Sequence, residues 1–194
     1  MTLHVIVTGF NRVIQLRRMI DCFIIQTNPN WQLHIIHDGP APKEAKFIVS
    51  TYKDERIHFE ETEKINGAWG HPNRSYMLRK MVLNHYDYVL ITNDDNDYVP
   101  VFVEKMLKKA KGNAGMVYCD AVHSYLDYEI LKSRIQENYI DMGSFIVRVD
   151  VAKKVGFTDR HYSADGSFAV KCAEYCNYRR LSVIYIPKAL FVHN

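Results

Sequence analysis

Three aspartates fall within four residues at Asp94, Asp95 and Asp97, directly after the apolar run YVLIT at 88–92. Neighbouring carboxylates repel by on the order of a few kcal/mol per pair at an effective dielectric of about 20. A divalent cation offsets that repulsion. Hard cations such as Mg²⁺ and Mn²⁺ take carboxylate oxygens and bridge to phosphate. The cluster therefore points to a metal that holds a diphosphate, and Asp95-Asn96-Asp97 has a D-x-D spacing. The alternative is a solvated acidic turn capping the next helix, because acidic residues favour turns and helix starts.

The elements that must position these residues are readable from periodicity. HVIVTG at 4–9 is a buried strand, short, apolar and broken by Gly9. Asn11 then serves as a helix N-cap, and Val13, Leu16, Ile20, Phe23 and Ile24 recur at helical spacing. Strands at 31–37 and 56–60 flank a helix at 43–52. Strand, helix, strand, helix, strand implies parallel strands with helices on both faces, and right-handed crossovers place the loops after the strands on one edge. Ligands of such sheets bind outside the carboxyl ends of the strands. That singles out residues 8–12, Asp38-Gly39 and the acidic run, and it favours the metal over the solvated turn. Further elements are expected as helices at 74–84, 101–111, 151–155 and 166–175, and strands at 88–92, 115–120, 145–149 and 182–186. Residues 121–141 lack a clear period and are expected to form a functional loop.

The 194 residues suit one domain, 1–194, with an ordinary balance of 47% hydrophobic and 24% charged residues. A net charge of +3 announces no nucleic-acid binder, though a mild basic excess suits a phosphate-bearing substrate. Cys22, Cys119, Cys172 and Cys176 follow no disulfide framework and are expected reduced, in a cytoplasmic setting. Cys172 and Cys176 share a helix face, which fits packing better than a zinc pair with no partner Cys/His pair. Nothing at the start resembles a secretory leader, and no stretch approaches the roughly eighteen apolar residues a membrane span needs.

The order of these segments resembles the family-2 glycosyltransferases of the GT-A fold. HVIVTGFNRVIQLRRMIDCFIIQT is similar to that family's opening strand, Asn-Arg turn and first helix. WQLHIIHDGP resembles its second strand, ending in an aspartate. NGAWGHPNRSYML resembles its Gly-rich segment, YVLITNDDNDYVP its D-x-D strand, and DMGSFIVRVDVAKKVGF its acceptor-side Gly-Ser strand and helix. The resemblance implies a single Rossmann-like domain with a mostly parallel mixed sheet. Nucleotide binding would fall to about 1–100 and acceptor binding to about 101–194, as a minimal enzyme or as part of a longer polypeptide with membrane-peripheral regions elsewhere.

It also implies roles. Thr8, Gly9, Phe10, Asn11 and Arg12 would line the base and ribose, and Asp38 would accept hydrogen bonds from the base. Gly67 and Arg74 would flank the nucleotide and diphosphate, with Trp69 or His71 walling the sugar pocket. Asp95 matches the metal-binding aspartate. Asn93 then stands where the family has the first aspartate of its motif; it can bond a ribose hydroxyl but brings no charge, which Asp94 or Asp97 would supply. His193 resembles the histidine that completes the shell around Mn²⁺ or Mg²⁺. Gly143 and Ser144 would lie beside the acceptor, a glycan or other hydroxyl compound. Asp165 takes the place of the catalytic base, with Ala164 where the family has a glutamate; a plain helix cap is its alternative role. The implied activity is metal-assisted transfer of a sugar from a nucleotide diphosphate, UDP first, with inversion. Two other classes compete: a nucleotidyltransferase, for which residues 8–12 are poor in glycine, and a non-catalytic nucleotide-sugar-binding domain.

Overall fold

Strand β1 (Leu3–Gly9) is buried at every position. Its side chains alternate between two apolar layers, Leu3, Val5 and Val7 on one face and Ile6 on the other. A strand covered on both faces reads as a continuous apolar run, as this one does. The computed structural model describes residues 1–194. Around β1 stand β2 (Trp31–His37), β3 (Ile57–Glu61) and β4 (Tyr88–Asn93), all mutually parallel in the order β3-β2-β1-β4. Helices α1 (Val13–Ile24) and α2 (Lys43–Thr51) make the crossovers.

The second half continues the same sheet through β8 (Phe145–Arg148), β6 (Ala114–His123), β9 (Ser182–His193) and β5 (Asp97–Tyr98), with β7 (Glu129–Leu131) pairing β6. β8 is antiparallel to both β4 and β6, whereas β6 and β9 are parallel. One face carries α1 and α4 (Phe102–Lys109); the other carries α3 (His71–Lys80), α5 (Val149–Val155) and α6 (Ala164–Tyr178). No helix is long and apolar enough to cross a membrane.

Several boundaries differ from expectation for local reasons. The N-cap position of α1 falls at Arg12, which makes no side-chain cap, rather than at Asn11, which takes φ 54 in a turn outside the helix. Helix α3 begins at His71 because Gly70 adopts φ 80 and Pro72 pre-sets the first turn, and it ends at Lys80 where Met81 is extended. Strand β9 runs straight through Pro187, which the register irregularity opposite Cys119 and Asp120 accommodates. Strand β6 extends past Asp120 to His123, and β7 and a 3-10 turn, Ser124–Leu126, give structure to part of the segment expected to be irregular. Cys119, Cys172 and Cys176 are free thiols in the core, and burial pushes all three above the usual thiol range.

Candidate active site

The carboxyl ends of β1, β2 and β4 open into one cavity of about 630 Å³, closed on the far side by the β6 and β9 ends and the start of α6. Asp38, just past β2, is buried at its floor. Its Oδ1 accepts from Asn66 N–H (2.8 Å) and Asn73 Nδ2 (2.9 Å), and its Oδ2 from Gly67 N–H (2.9 Å). A carboxylate has about four acceptor sites, so Asp38 holds the glycine segment and retains capacity for a ligand. His37 does similar work next door. Its Nδ1–H donates to the Gly39 carbonyl (2.8 Å), leaving Nε2 to accept Asn11 N–H (3.1 Å).

The glycine segment is strained. Gly67, Ala68, Trp69 and Gly70 all have positive φ, 65, 47, 53 and 80°. Gly67, with ψ −144°, sits in a region essentially reserved for glycine. The outcome is an indole that is 60% exposed on the cavity wall, edge-on to Tyr162 with ring centroids 5.9 Å apart.

Arg74, on the first turns of α3, is 2% exposed and carries the cavity's deepest positive charge. It donates to Asn93 Oδ1 and to His71 Nδ1, and its Nε has no partner. Burial lowers it to about 10, against the pull of Asp165 and Asp141. Asp165 lies in the first turn of α6, whose N-cap is Ser163, and its Oδ1 accepts Gly166 N–H (2.8 Å). Burial first, and the Asp141 charge second, push its carboxyl up to about 6. A carboxylate balanced in that way suits a general base near neutrality.

The acidic run divides. Asp94 is buried beneath β1, where burial raises it to about 6 despite Arg12. Asp95 lines the cavity and pairs with Arg12. Asp97 turns into the β5–β9 pair, bound by Arg18 Nε (2.7 Å) and Asn194 Nδ2 (3.0 Å), and does not line the cavity. The backbone carbonyl of Asp95 accepts from Asn194 Nδ2 (2.9 Å), and in the same cavity His123, Asp141 and His193 present ligand atoms within 4.8 Å of one another. Asp141 is anchored by Gly143 N–H (2.8 Å) on its Oδ1, and burial raises its carboxyl.

Of the residues singled out in the sequence, Thr8, Gly9, Phe10, Arg12, Asp38, Gly67, Trp69, His71, Arg74, Asn93, Asp95, Asp165 and His193 face this cavity. Asn11 and Asp94 lie beneath it, around a narrow crevice under the turn. Gly143 and Ser144 are buried behind Asp141, whose carbonyl accepts Ser144 Oγ–H at 2.6 Å. Sequence reasoning missed His123, Tyr125, Asp141 and Tyr162. His123 was recoverable: Val117, Cys119, Ala121 and His123 share one face of a strand that alternates past Asp120.

The donor set suits a divalent cation of the Mg²⁺ or Mn²⁺ type. Asp95 offers a hard carboxylate, His193 and His123 imidazoles, and Asp141 a second carboxylate, all lining one polar cavity.

Among solved structures, the chain is similar to TarS 1-349 of S. aureus in complex with UDP (TM-score 0.79, 13% identity), covering 100% of this chain and 60% of that one. The complex of the same protein with UDP-GlcNAc gives TM-score 0.78 and 14% identity over 100% and 58%. Mannosyltransferase PcManGT from Pyrobaculum calidifontis, in complex with GDP-Man and Mn²⁺, gives 0.76 and 17% over 98% and 56%. The chain thus spans less than two thirds of each of these structures. No curated protein sequence matches it. The fold is the GT-A fold of glycosyltransferases. Residues 4–182 match the sequence pattern of glycosyl transferase family 2, and the chain belongs to that family.

Proposed function

We propose that the chain moves a sugar from a nucleotide diphosphate sugar, UDP-linked by preference, to a hydroxyl of a glycan acceptor, with inversion at the anomeric carbon. The observation that carries this is the convergence of Asp165, Arg74, Asp95 and Asp38 on one cavity. Asp38 and the residues of the β1 turn bind the nucleoside, and Arg74 and Arg12 face its diphosphate. Asp165 accepts the acceptor's hydroxyl proton. The acceptor oxygen then bonds to the anomeric carbon from one side as the bond to the diphosphate oxygen breaks on the other. Asp95 and His193 would hold the divalent cation, with Asp141 beside them, and such an ion neutralises charge on a departing diphosphate. Trp69 and Tyr162 offer apolar ring faces to a sugar, which supports a glycan acceptor. The residues up to about 100 form the donor side and those beyond it the acceptor side. The UDP, UDP-GlcNAc and GDP-Man complexes of the similar structures support a nucleotide-sugar donor without choosing the base.

Thermal unfolding with UDP-, GDP- and dTDP-sugars, with and without Mn²⁺, tests the assignment. A true donor at 100 times its Kd adds about 2.7 kcal/mol, and its shift should grow with Mn²⁺. Stabilisation by nucleoside triphosphates alone would favour a nucleotidyltransferase.

A further inference from the structure

Arg12 bridges two carboxylates of the acidic run. Its Nη2 is 2.8 Å from Asp94 Oδ1, and its Nη1 bonds Asp95 Oδ2, the one carboxylate of the run that lines the cavity. Asp94 cannot retreat from this contact. Its side chain is 2% exposed, and a Cβ on Gly9 would come within 2.6 Å of its Oδ2. Asp97 has its own guanidinium, from Arg18. Three carboxylates therefore share two arginines, and Arg12 serves two of them.

Arg12 is incompletely satisfied there. Its Nε is buried without a partner, and Asp94 Oδ1, though close, is not aligned as a hydrogen-bond acceptor. Arg12 also stands near enough to Arg74 for its charge to lower that residue. Both guanidiniums face the same cavity. A polyanion placed between them relieves the repulsion and gains charge-assisted hydrogen bonds.

We propose that Arg12 is the resident counter-cation of Asp95 in the donor-free protein: it competes with the divalent cation for that carboxylate, and the donor's diphosphate draws it away, so that metal and nucleotide bind cooperatively. This rests on the donor and metal assignments made above. Coupling of this kind is reciprocal. Loss of Arg12 therefore has opposite effects on the two ligands, strengthening Mn²⁺ binding to the empty protein and weakening UDP binding without metal. A merely structural arginine would weaken both.

The test is a titration of free Mn²⁺, followed by electron paramagnetic resonance, into wild type, Arg12→Gln, Arg12→Lys and Arg18→Gln, with and without saturating UDP. Arg12→Gln should bind Mn²⁺ without nucleotide about tenfold tighter or more, within the usual range of couplings between sites. The gain in Mn²⁺ affinity that UDP confers on wild type should shrink. Arg12→Lys keeps the charge but not the fork that spans two carboxylates, and should lie between. Arg18→Gln measures the general effect of losing one positive charge, which the Arg12→Gln gain should exceed. Equal effects at Arg12 and Arg18, an unchanged or lowered Mn²⁺ affinity in Arg12→Gln, or no Mn²⁺ uptake by any form would overturn the inference. UDP binding by wild type without metal would leave the sugar-transfer assignment standing in that event; loss of both would end the two together.

Discussion

His123 and His193 stack across the β6–β9 pair with ring centroids 4.2 Å apart and planes 7° apart, and the Nε2 atoms of the two rings lie 3.9 and 3.8 Å from Asp141 Oδ2. Their outer nitrogens differ. His123 Nδ1 accepts Tyr125 N–H (3.3 Å), which assigns the proton of the neutral ring to Nε2. His193 Nδ1 faces Ser124 Oγ (3.1 Å), a hydroxyl that can accept as well as donate, so the His193 ring is free to turn an Nε2 lone pair to a cation. His193→Ala should therefore weaken Mn²⁺ binding by at least about 10- to 100-fold, the cost already seen when only an outer-shell partner of a ligand is lost. His123→Ala should cost clearly less. Calorimetry of both variants with Mn²⁺ and UDP decides it, and equal losses would contradict the tautomer assignment.

Asp165→Asn should lower transfer by about 10²- to 10⁴-fold, the usual contribution of a general base, while UDP affinity stays near that of wild type. In wild type the base must be ionised. With its carboxyl raised to about 6, transfer should fall about tenfold per unit as pH drops below that value and level off above it. A pH–rate profile under single-turnover conditions reads this directly.

The same shift governs stability. A carboxyl raised in the folded state contributes stability that is present below its unfolded value and lost as pH rises through the folded one. For Asp165 the window runs from 3.8 to about 6. At about 1.36 kcal/mol per unit, ionising it costs the fold up to about 3 kcal/mol. Metal-free Asp165→Asn should thus melt several degrees above wild type at pH 8, since about 1 kcal/mol moves a chain of this size by about 2–4 °C. The difference should vanish near pH 3.5. An Asn variant that melts lower at pH 8 would show that the aspartate is not under this strain.

Arg74 bonds Asn93 and His71 and lies near enough to Asp165 and Asp141 for both charges to act on it. Arg74→Lys shortens the reach and removes the planar fork, so donor affinity should drop at least about tenfold, as for loss of a charge-assisted bidentate contact. In Arg74→Gln, which removes the charge as well, the acid limb of the pH–rate profile should move upward, because the Arg74 charge holds Asp165 down. A loss of affinity with an unmoved limb would place Arg74 away from the base.

Two glycines should respond differently to alanine. A methyl on Gly9 meets Asp94 Oδ2 at 2.6 Å and Cγ at 3.1 Å, whereas one on Gly67 meets nothing within 4 Å. Gly9→Ala should therefore destabilise by about 1–3 kcal/mol through overpacking, and Asp94→Ala in the same chain should recover much of it. Gly67→Ala should cost mainly backbone strain at φ 65 and, with it, the Asp38–Gly67 hydrogen bond that shapes the nucleotide side. Urea denaturation of the single and double variants separates the two.

The donor half of the fold was legible because its signals are local. Strands β1, β2 and β4 are short apolar runs ended by Gly9, Asp38 and the acidic cluster, and helix periodicity fills the gaps. The acceptor half depends on pairings far apart in sequence. His123 meets His193 only because β6 and β9 run parallel through the irregularities opposite Asp120. Asp141 enters the cavity because Gly143, where a Cβ would meet Phe191 Cε2 at 2.4 Å, lets the turn lie flat on the core. The D-x-D spacing at Asp95 and Asp97 also misled in part. The two-residue strand β5 swings Asp97 into Arg18, a tertiary event that no spacing announces.

The most direct measurement is turnover of a nucleotide sugar followed by NMR in the presence of Mn²⁺. The account predicts release of the intact nucleoside diphosphate, UDP in the favoured case, with the product's anomeric configuration opposite to the donor's and turnover at least about 10²-fold slower in Asp165→Asn. Release of a nucleoside monophosphate, retention of configuration, or unchanged turnover in Asp165→Asn would contradict it.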